Sequence, residues 1–406
     1  MKVVQTIAWF GEYSGGTSSS TYNLLSAIDR VKQAGEVVEL LTPDVRDPAD
    51  RLMGHGEAWI HALPNDCKTP LAYSTAMAKA LKGSDADIYH ANGLWLHTVH
   101  ATCAAARRKG KPYVITPHGM LYPEALRYSF WKKWPMLQLW FRKDIMHASA
   151  IHVTCENELQ HVRGIGYRGP IALISNSVLP TPKTTEIYNR RSPQLLNSST
   201  AQLPHSSAPQ LPHSSTRQLG FLGRLHPIKG IERLLQAVAL RPEADVRVVL
   251  MGMGNADYEQ FLRSEAQRLG IADRVEFAGF VTRREKFERL AQLDALLVPS
   301  DMENFGMIVP EALLVGTPVM ASTGTPWQAL NENRCGWWTD NSPESIARVI
   351  DDICSQSSAD LLAMGSRGRQ LVLDRFEATR IAGRMLTFYR WLAGRAPRPD
   401  FVDILS

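Results

Sequence analysis

The sequence predicts an α/β protein with two doubly wound domains joined by a flexible linker. Short apolar runs of strand length alternate with helical segments in both halves of the chain. A segment rich in Ser, Pro and Gln separates the two halves. Buried strands that alternate with helices are typical of a parallel sheet covered on both faces. We therefore expect two such sheets, with ligands bound at the carboxyl ends of their strands.

The first predicted domain covers residues 1–182. It begins with a strand in KVVQTIAWF, which is followed by the glycine loop GEYSGGTSSS and a helix that ends at Gly35. The next strands are predicted in VVELLTP, ADIYHANG, KPYVITPHG and ASAIHVTC, and a helix follows from about Glu156. His-containing loops end two of these strands, so polar side chains are expected at one edge of the sheet.

Residues 183–218 are predicted to form a flexible interdomain linker. The sequence QLPHSS occurs there twice, at 202–207 and 210–215. Two copies cannot build a solenoid, and a segment rich in Ser, Pro and Gln cannot bury a core. The histidines of the two copies and a glycosylation sequon at Asn197 are interpreted as chance features of a linker.

The second predicted domain covers residues 219–376 and repeats the alternation. Its strands are predicted in RQLGFLGRL, DVRVVLMG, RVEFAGFV, LDALLVPS and TPVMAST, with helices between them. A last helix lies in residues 377–406, which we expect to return to the first domain. Two doubly wound domains leave a cleft at the carboxyl ends of their sheets for a ligand.

The charge and the cysteines exclude several classes of function. The net charge of +5 and the isoelectric point near 8.9 favour anionic small ligands or a lipid surface over nucleic acid. No Lys/Arg block or RNA-binding signature is present, so no nucleic-acid partner is expected. Five scattered cysteines without CxxC spacing predict neither a disulfide framework nor a structural zinc site. A reducing cytoplasm is the simplest context.

The segment SDMENFGMIVPEALLVGTPV contains a predicted helix start. Pro310 is tolerated only in the first turn of a helix, so the helix is expected to begin near Gly306. The free amides around residues 305–309 would then form a phosphate site, which the helix dipole strengthens.

Two glutamates, Glu303 and Glu311, flank this helix start. Their carboxylates could lie up to roughly 12 Å apart, whereas a hydrolytic carboxylate pair requires roughly 5–9.5 Å. We therefore interpret the pair as holding two ends of an extended ligand with a central diphosphate, such as a nucleotide sugar. The alternative is an ordinary helix start beside a surface glutamate.

Two cations follow the first strand of the second domain. Arg224 and Lys229 lie in LGRLHPIKG, just after that strand. Each alone is compatible with a surface salt bridge, but together at the carboxyl end of a strand they favour phosphate binding.

Taken together, these motifs resemble glycosyltransferase family 4. The segments that carry the resemblance are ENFGMIVPE, GRLHPIKG, PHGML, VGTPV and the glycine loop at Gly15-Gly16. They are specific in combination and cover nearly all of the chain except the linker. The resemblance implies a retaining transferase of the GT-B fold, with two Rossmann-like domains facing across a cleft. No metal is expected either, because Arg224, Lys229 and the helix N-terminus can replace the charge of a metal at the diphosphate.

The resemblance also implies roles for individual residues. Glu303 would hold hydroxyls of the donor sugar, Glu311 the ribose diol, and Arg224 and Lys229 the diphosphate leaving group. His118 matches a histidine beside the reacting sugar carbon. The remaining donor-binding residues implied by the resemblance are Gly15, Gly16, Phe280, Val281, Asn304, Phe305, Gly306, Met307 and Ile308.

The chain departs from the family pattern at two places. Ser175-Asn176-Ser177 stands where the family commonly has Pro-Asn-Gly, which affects only a hinge turn. Gly324 to Trp327, GTPW, replaces the common Gly-Gly near the sugar pocket, and this weakens the assignment of the donor. His90, in YHANGLW, is interpreted as a structural residue or as part of the acceptor rim.

Residues 127–148 form the most basic and aromatic segment of the chain. Lys132, Lys133, Arg142 and Lys143 alternate there with tryptophans and Phe141. This pattern predicts either a surface that lies on an anionic membrane or an ordinary helix pair that packs its aromatic side chains inward.

These observations predict a metal-independent retaining transferase that uses a UDP-sugar. The expected reaction moves a hexose, with glucose as the first choice, to a carbohydrate or lipid-linked acceptor in polysaccharide or cell-envelope assembly. The expected location is the cytoplasm or the inner face of the membrane. The alternatives are a nucleotide-sugar epimerase of the same fold and a catalytically silent sugar-nucleotide-binding protein.

Overall fold

The chain divides into two structural units. The computed structural model describes residues 1–45, 50–66, 72–127, 130–192 and 216–405. Met1–Leu179 and Glu377–Ser406 form the first unit, and Pro180–Phe376 forms the second. The C-terminal residues 377–406 therefore fold with the first unit rather than with the segment that precedes them.

The first unit is built on an eight-stranded sheet with helices between the strands. Its strands are β1 (Lys2–Thr6), β2 (Val37–Pro43), β3 (Ile60–Leu63), β4 (Ile88–Asn92), β5 (Tyr113–Thr116), β6 (Ala150–Val153), β7 (Ile171–Leu173) and β14 (Val402–Asp403). Its helices are α1 (Gly16–Val31), α2 (Thr75–Gly83), α3 (His97–Arg108), α4 (Pro123–Arg127), α5 (Phe130–Met136), α6 (Arg142–Met146), α7 (Glu156–Gly164) and α16 (Ala378–Leu392), with a π-helical turn at Leu137–Phe141.

The strands of this sheet are ordered β14-β7-β6-β5-β4-β1-β2-β3. All neighbours are parallel except β14, which pairs antiparallel with β7 through Val402 and Ala172. Helix α16 packs into the same hydrophobic core as α1, where Met385 and Phe388 lie among Leu25 and Ile28. The C-terminal segment therefore contributes both a core helix and an edge strand to the first unit.

The second unit is built on a six-stranded parallel sheet. The strand order is β10-β9-β8-β11-β12-β13. The strands are β8 (Arg217–Leu222), β9 (Val246–Met251), β10 (Val275–Gly279), β11 (Ala295–Val298), β12 (Val319–Ser322) and β13 (Gly336–Thr339). The helices are α8 (Pro182–Arg191), α9 (Ile231–Ala239), α10 (Ala256–Arg268), α11 (Arg283–Ala291), α12 (Ile308–Leu314), α13 (Ala329–Glu332), α14 (Pro343–Ser355) and α15 (Ser358–Arg375).

The structure differs from the predicted linker over residues 183–191, which lie in helix α8. The side chain of Thr181 caps the helix by accepting a hydrogen bond from the Thr184 amide, and Pro182 occupies the first turn. Ile187 is buried, so this segment has the capping box and apolar contact that hold a short helix. Residues 193–215 of the predicted linker, including both QLPHSS copies, lie outside the described residues.

Among the described residues, no helix combines the length and the hydrophobicity that a membrane span requires.

Candidate functional site

Two loops of the second unit meet at the carboxyl ends of β8 and β11. The Asp301 amide donates a hydrogen bond to the Ile228 carbonyl (2.8 Å). Gly230 adopts a left-handed φ of 65°, and a Cβ atom there would lie 2.2 Å from the Pro299 carbonyl oxygen. Only glycine allows this close approach without strain. The loop that carries Lys229 is therefore fixed against the loop that carries Glu303.

Lys229 and Glu303 form an ion pair between these loops. The Lys229 Nζ atom contacts Glu303 Oε1, and the Ser300 hydroxyl donates to the same oxygen (3.1 Å). The two charged side chains are 20% and 16% exposed, so the pair is partly shielded from solvent. The sequence predicted these residues for the same ligand, and the structure brings them into direct contact.

Arg224 lies in the same loop as Lys229 and is exposed. His226 lies between these two residues in the sequence. Its Nδ1 atom accepts a hydrogen bond from the Ile228 amide (3.2 Å). Burial lowers the pKa of His226, and the positive charges of Arg224 and Lys229 lower it further. Both cations therefore lie near enough to His226 to affect its pKa, and Lys229 brings positive charge directly against Glu303.

The helix start differs slightly from the prediction. Helix α12 begins at Ile308, two positions after the expected start, because Gly306 adopts a left-handed φ of 73°. The Val309 amide is also not free, because it donates to the Gly306 carbonyl (2.9 Å). The prediction that the amides of residues 305–309 are all available for a phosphate is therefore wrong at Val309. The amides of Gly306, Met307 and Ile308 precede this first hydrogen bond.

The aromatic rings of Trp327 and Phe376 pack against Phe305. The Trp327 indole Nε1 donates to the Phe305 carbonyl (2.5 Å). The rings of Phe305, Trp327 and Phe376 pack together with centroids 5.2–5.6 Å apart. Trp327 is 1% exposed. The replacement of the family's Gly-Gly by GTPW therefore places a structural tryptophan behind the Glu303–Ile308 loop.

Glu311 forms a second ion pair, which the sequence analysis did not anticipate. Its carboxylate contacts the Lys286 ammonium of α11, and the two side chains are only 7% and 13% exposed. Lys286 lies seven positions after the predicted base-binding strand end at Gly279. Its closeness in sequence to GFV, residues 279–281, was the one sequence signal that could have pointed to Lys286. The contact itself depends on how α11 and α12 pack.

Phe280 and Val281 follow β10 at the same sheet edge. Phe280 is 38% exposed, and Val281 is partly buried. Thr282 then caps α11 through a capping box with Glu285. The short turn between strand and helix leaves an aromatic ring accessible, as the assignment to a nucleotide base requires.

In the first unit, His118 follows β5 in a strained turn. His118 and Gly119 both adopt left-handed φ angles, 51° and 76°. The Gly119 amide donates to Oε1 of Glu158 (2.5 Å), a fully buried carboxylate on α7. Strained backbone of this kind persists only where its surroundings fix it. Glu158 is a second residue that the sequence analysis did not single out.

The His118 side chain is neutral at physiological pH. Burial, together with the nearby His152 ring, lowers the pKa of His118 to about 3. Its Nε2 atom lies 3.2 Å from the Asn92 Oδ1 atom. His118 therefore enters any chemistry as a neutral hydrogen-bonding ring, not as an imidazolium acid.

Gly15 and Gly16 begin helix α1 in the same unit. Gly15 precedes the helix with a φ of 85°, and Gly16 is its first residue. Ser20 and Thr21 of α1 line a small cavity of about 10 Å³ together with His118. The structure thus places these glycines one helical turn before residues that share a cavity with His118.

Within the described parts of the chain, no three His, Cys, Asp or Glu side chains are grouped so that they could hold a metal ion. Asp301, the acidic residue beside Glu303, instead contacts Arg233 and accepts a hydrogen bond from Asn341 (2.9 Å).

Family models match both units. The model described as Glycosyltransferase Family 4 matches residues 14–180, and the model described as Glycosyl transferases group 1 matches residues 206–371. The chain therefore contains a glycosyltransferase family 4 domain and a glycosyl transferases group 1 domain. The resemblance identified from the sequence motifs is thereby confirmed.

Curated relatives of this glycosyltransferase match it over part of their length. It is 35% identical over 144 residues to the D-inositol 3-phosphate glycosyltransferase of Streptomyces scabiei, an alignment that spans 32% of each chain. It is 29% identical over 187 residues to the 2-deoxystreptamine glucosyltransferase of Streptomyces kanamyceticus, 44% of this chain and 46% of the relative. These alignments span less than half of the length of both relatives.

Solved structures resemble this glycosyltransferase over nearly its whole length. The Anabaena protein HepE, in complex with UDP and glucose, matches with a TM-score of 0.70 at 19% identity, over 96% of this chain and 100% of HepE. Sucrose-phosphate synthase of Thermosynechococcus elongatus matches with a TM-score of 0.72 at 18% identity, over 98% and 100% of the two chains. The glycosyltransferase therefore has the GT-B fold, as predicted.

Proposed function

We propose that this glycosyltransferase is a retaining, metal-independent enzyme that uses a UDP-sugar. It transfers a hexose, with glucose as the first candidate, to a carbohydrate or lipid-linked acceptor in polysaccharide or cell-envelope assembly. The observation that carries the proposal is the pair of contacts Lys229–Glu303 and Lys286–Glu311 in the second unit. They place a carboxylate paired with a cation at each end of the segment 303–311.

The two carboxylates suit two different polar ends of one donor. Glu303 is partly exposed and can accept hydrogen bonds from sugar hydroxyls, whereas Glu311 is nearly buried and can accept from a ribose diol. Between them, the amides of Gly306 to Ile308 can donate to phosphate oxygens. HepE has been solved with UDP-glucose, which supports UDP as the nucleotide and glucose as the first sugar to test.

The proposed reaction breaks the bond between the sugar C1 and the diphosphate oxygen. The acceptor hydroxyl forms the new bond to C1 on the same face, and its proton passes to the leaving phosphate oxygen. Negative charge grows on the diphosphate as the bond breaks, and in this proposal Arg224 and Lys229 stabilise it. Neutral His118 contributes a hydrogen bond to the sugar rather than a proton.

A nucleotide screen tests the choice of donor. We expect UDP to protect the protein against heat, by about 2.7 kcal/mol at a concentration 100-fold above its Kd. GDP and ADP should protect much less, because Phe280 and Val281 are assigned to bind the uracil base. Equal protection by all three nucleotides would contradict the assignment of the base.

Release of UDP tests the reaction itself. A transferase releases UDP from UDP-glucose in proportion to acceptor, whereas an epimerase converts the donor without acceptor and without net UDP release. A silent binding protein shows heat protection but neither reaction. An acceptor-dependent release of UDP is the expected result.

We also propose that the surface of residues 127–148 contacts an anionic membrane. Trp131, Trp134 and Trp140 are 86%, 51% and 44% exposed, and Arg142 and Lys143 are exposed as well. Exposed tryptophans beside cations are typical of proteins that lie on a membrane surface. The side chains of Lys132 and Lys133 lie outside what the structure describes.

Charge reversal tests the membrane contact. The double variant Arg142→Glu/Lys143→Glu should bind vesicles of anionic lipid at least tenfold more weakly at low salt, since each cation near such a surface contributes about 1 kcal/mol. The matched control is Lys79→Glu/Lys82→Glu, which reverses two exposed cations of α2. Absence of vesicle binding by the parent protein, or an equal loss in the control, would favour the inward-packed alternative.

A further inference from the structure

A chain of buried side chains links His118 to the C-terminal helix α16. Each member is within hydrogen-bond distance of the next, and every member after His118 is at most 6% exposed. In order, the chain runs through His118, Asn92, Gln5, Tyr389, His90, Thr116 and His152, and it ends at the carbonyl of Ile174. His90, interpreted from the sequence as a structural residue or as part of the acceptor rim, lies inside this chain of hydrogen bonds.

The first end of the chain fixes the orientation of Asn92. Its Nδ2 atom lies 3.3 Å from the Thr6 carbonyl oxygen and 3.0 Å from Gln5 Oε1. A backbone carbonyl can only accept a hydrogen bond, so the amide nitrogen of Asn92 must face it. The oxygen of Asn92 then faces His118 Nε2 (3.2 Å), and the proton of this contact must belong to His118.

The second end fixes the direction of the remaining hydrogen bonds. His152 Nε2 lies 2.7 Å from the Ile174 carbonyl oxygen and must donate to it. In a neutral ring the Nδ1 atom then accepts, and it does so from the Thr116 hydroxyl (2.8 Å). The Thr116 oxygen in turn accepts from His90 Nε2 (2.6 Å). His90 Nδ1 is therefore an acceptor.

The hydrogen-bond directions deduced from the two ends of this chain of side chains are consistent at Tyr389. Its hydroxyl donates to His90 Nδ1 (2.6 Å) and accepts from Gln5 Nε2 (2.8 Å). This leaves Gln5 Oε1 to accept from Asn92, as the first end requires. Burial lowers the pKa of His90 well below its usual value and that of His152 to about 4. With neutral rings, one arrangement of protons satisfies every member of the chain.

We propose that Asn92 is a positioning residue that holds His118 as its Nε2–H tautomer, with Tyr389 of α16 as the remote support. His118 then offers Nδ1 as a hydrogen-bond acceptor, which suits a hydroxyl group of a sugar. Only this consequence for the reaction rests on the proposed function, because the tautomer follows from the hydrogen bonds alone.

The tautomer is measured directly in the resting protein. Protein labelled with ¹⁵N-histidine gives ring nitrogen shifts that distinguish a protonated from an unprotonated nitrogen. The His118 signals are those lost in His118→Gln. We expect Nε2 protonated and Nδ1 unprotonated at neutral pH. A protonated Nδ1, or an average of two tautomers, would overturn the proposal whether or not the protein transfers sugar.

The variant Tyr389→Phe tests the support from α16. It removes only the hydroxyl that connects Gln5 to His90. We expect kcat to fall about tenfold, on the lower side of the loss caused by a misplaced catalytic group, while KM for the UDP-sugar changes less than twofold. The His118 ring shifts should move toward an average of two tautomers.

The matched control is Tyr167→Phe. Tyr167 is also fully buried in the first unit, and its hydroxyl donates to the Ala148 carbonyl (2.9 Å) outside the chain. This variant should lose similar stability with unchanged kcat and His118 shifts. Equal losses of kcat in the two variants would show that Tyr389 is only structural. Should Tyr389→Phe not fold, the shifts of the parent protein still decide the proposal.

Discussion

Replacing Lys229 with alanine is expected to lower turnover by about 100-fold or more, the scale of losing one transition-state donor. The diphosphate gains negative charge as the glycosidic bond breaks, and the ammonium of Lys229 is part of the positive charge that can meet it. The stabilisation is larger in the transition state than in the bound donor. We therefore expect kcat and kcat/KM to fall together.

The position of Lys229 strengthens this expectation. Its ammonium contacts Glu303 Oε1 in a pair that is only partly exposed, so the cation is already oriented and partly shielded from solvent. The variant Lys229→Ala removes the cation and leaves Glu303 with the Ser300 hydroxyl as a partner. Loss of the cation should thus affect the sugar-binding carboxylate as well as the phosphate.

A matched control separates this role from the loss of an ion pair. Arg241 pairs with Asp351 at the other end of α9, with 25% and 48% of the two side chains exposed. Arg241→Ala removes a comparable pair away from the donor loops, and UDP release should remain near the parent rate. Similar losses in both variants would contradict a specific role of Lys229.

The same assay tests the independence from metal. UDP release should persist in excess EDTA, because Arg224, Lys229 and the helix amides supply the positive charge. Asp301→Asn should have little effect, since Asp301 is engaged by Arg233 and Asn341. Activity that EDTA abolishes and magnesium or manganese restores would contradict the proposed mechanism.

The sequence was sufficient to place the loops that carry Lys229 and Glu303 at one edge of a sheet, but not to pair their residues. Lys229 and Glu303 are 74 positions apart. They meet because β8 and β11 are neighbours in the sheet. Strand ends can be found from apolar runs and the turns that follow them. The order of strands depends on long-range packing, which no local pattern records.

Residues that act through packing were the ones missed. Lys286 reaches Glu311 only because α11 and α12 lie side by side, and Tyr389 reaches Gln5 across 384 positions. Trp327 was assigned near a sugar pocket from a motif, but its ring is buried behind Phe305. The structure shows Trp327 beside the Glu303–Ile308 loop, but the direction of its side chain could not be predicted without the fold.

The start of the second unit shows the same limit. Composition alone assigned residues 183–191 to a linker, yet the Thr181 cap and the buried Ile187 make them a helix. Because a low-complexity segment follows directly, the composition of the whole region led to this short capped helix being assigned to the linker. Capping boxes are local and readable, so this difference could have been found from the sequence.

The last prediction concerns alanine variants of the two glutamates, which we expect to lose different properties of the enzyme. Glu311→Ala should weaken UDP binding about 10- to 100-fold, the scale of losing one hydrogen bond to a charged group. Glu303→Ala should leave UDP binding near the parent value and mainly lower turnover with the UDP-sugar. Calorimetric titration with UDP gives the first quantity and acceptor-dependent UDP release the second.

The burial of the Glu311 pair determines how this experiment must be designed. Glu311 and Lys286 are 7% and 13% exposed, and removing one partner of a buried pair costs about 3–5 kcal/mol of stability. Heat protection would mix that loss with lost binding, so UDP affinity must be measured on folded protein. The double variant Lys286→Met/Glu311→Ala removes the unpaired cation and should recover stability.

The double variant then separates packing from recognition. If Glu311 binds the ribose, the double variant regains stability but still binds UDP weakly, because no carboxylate remains to accept the diol. If UDP affinity returned with stability, Glu311 would be a structural partner of Lys286. A loss of UDP affinity in Glu303→Ala alone would exchange the two roles, because the carboxylate beside Lys229 would then be the one that holds the nucleotide.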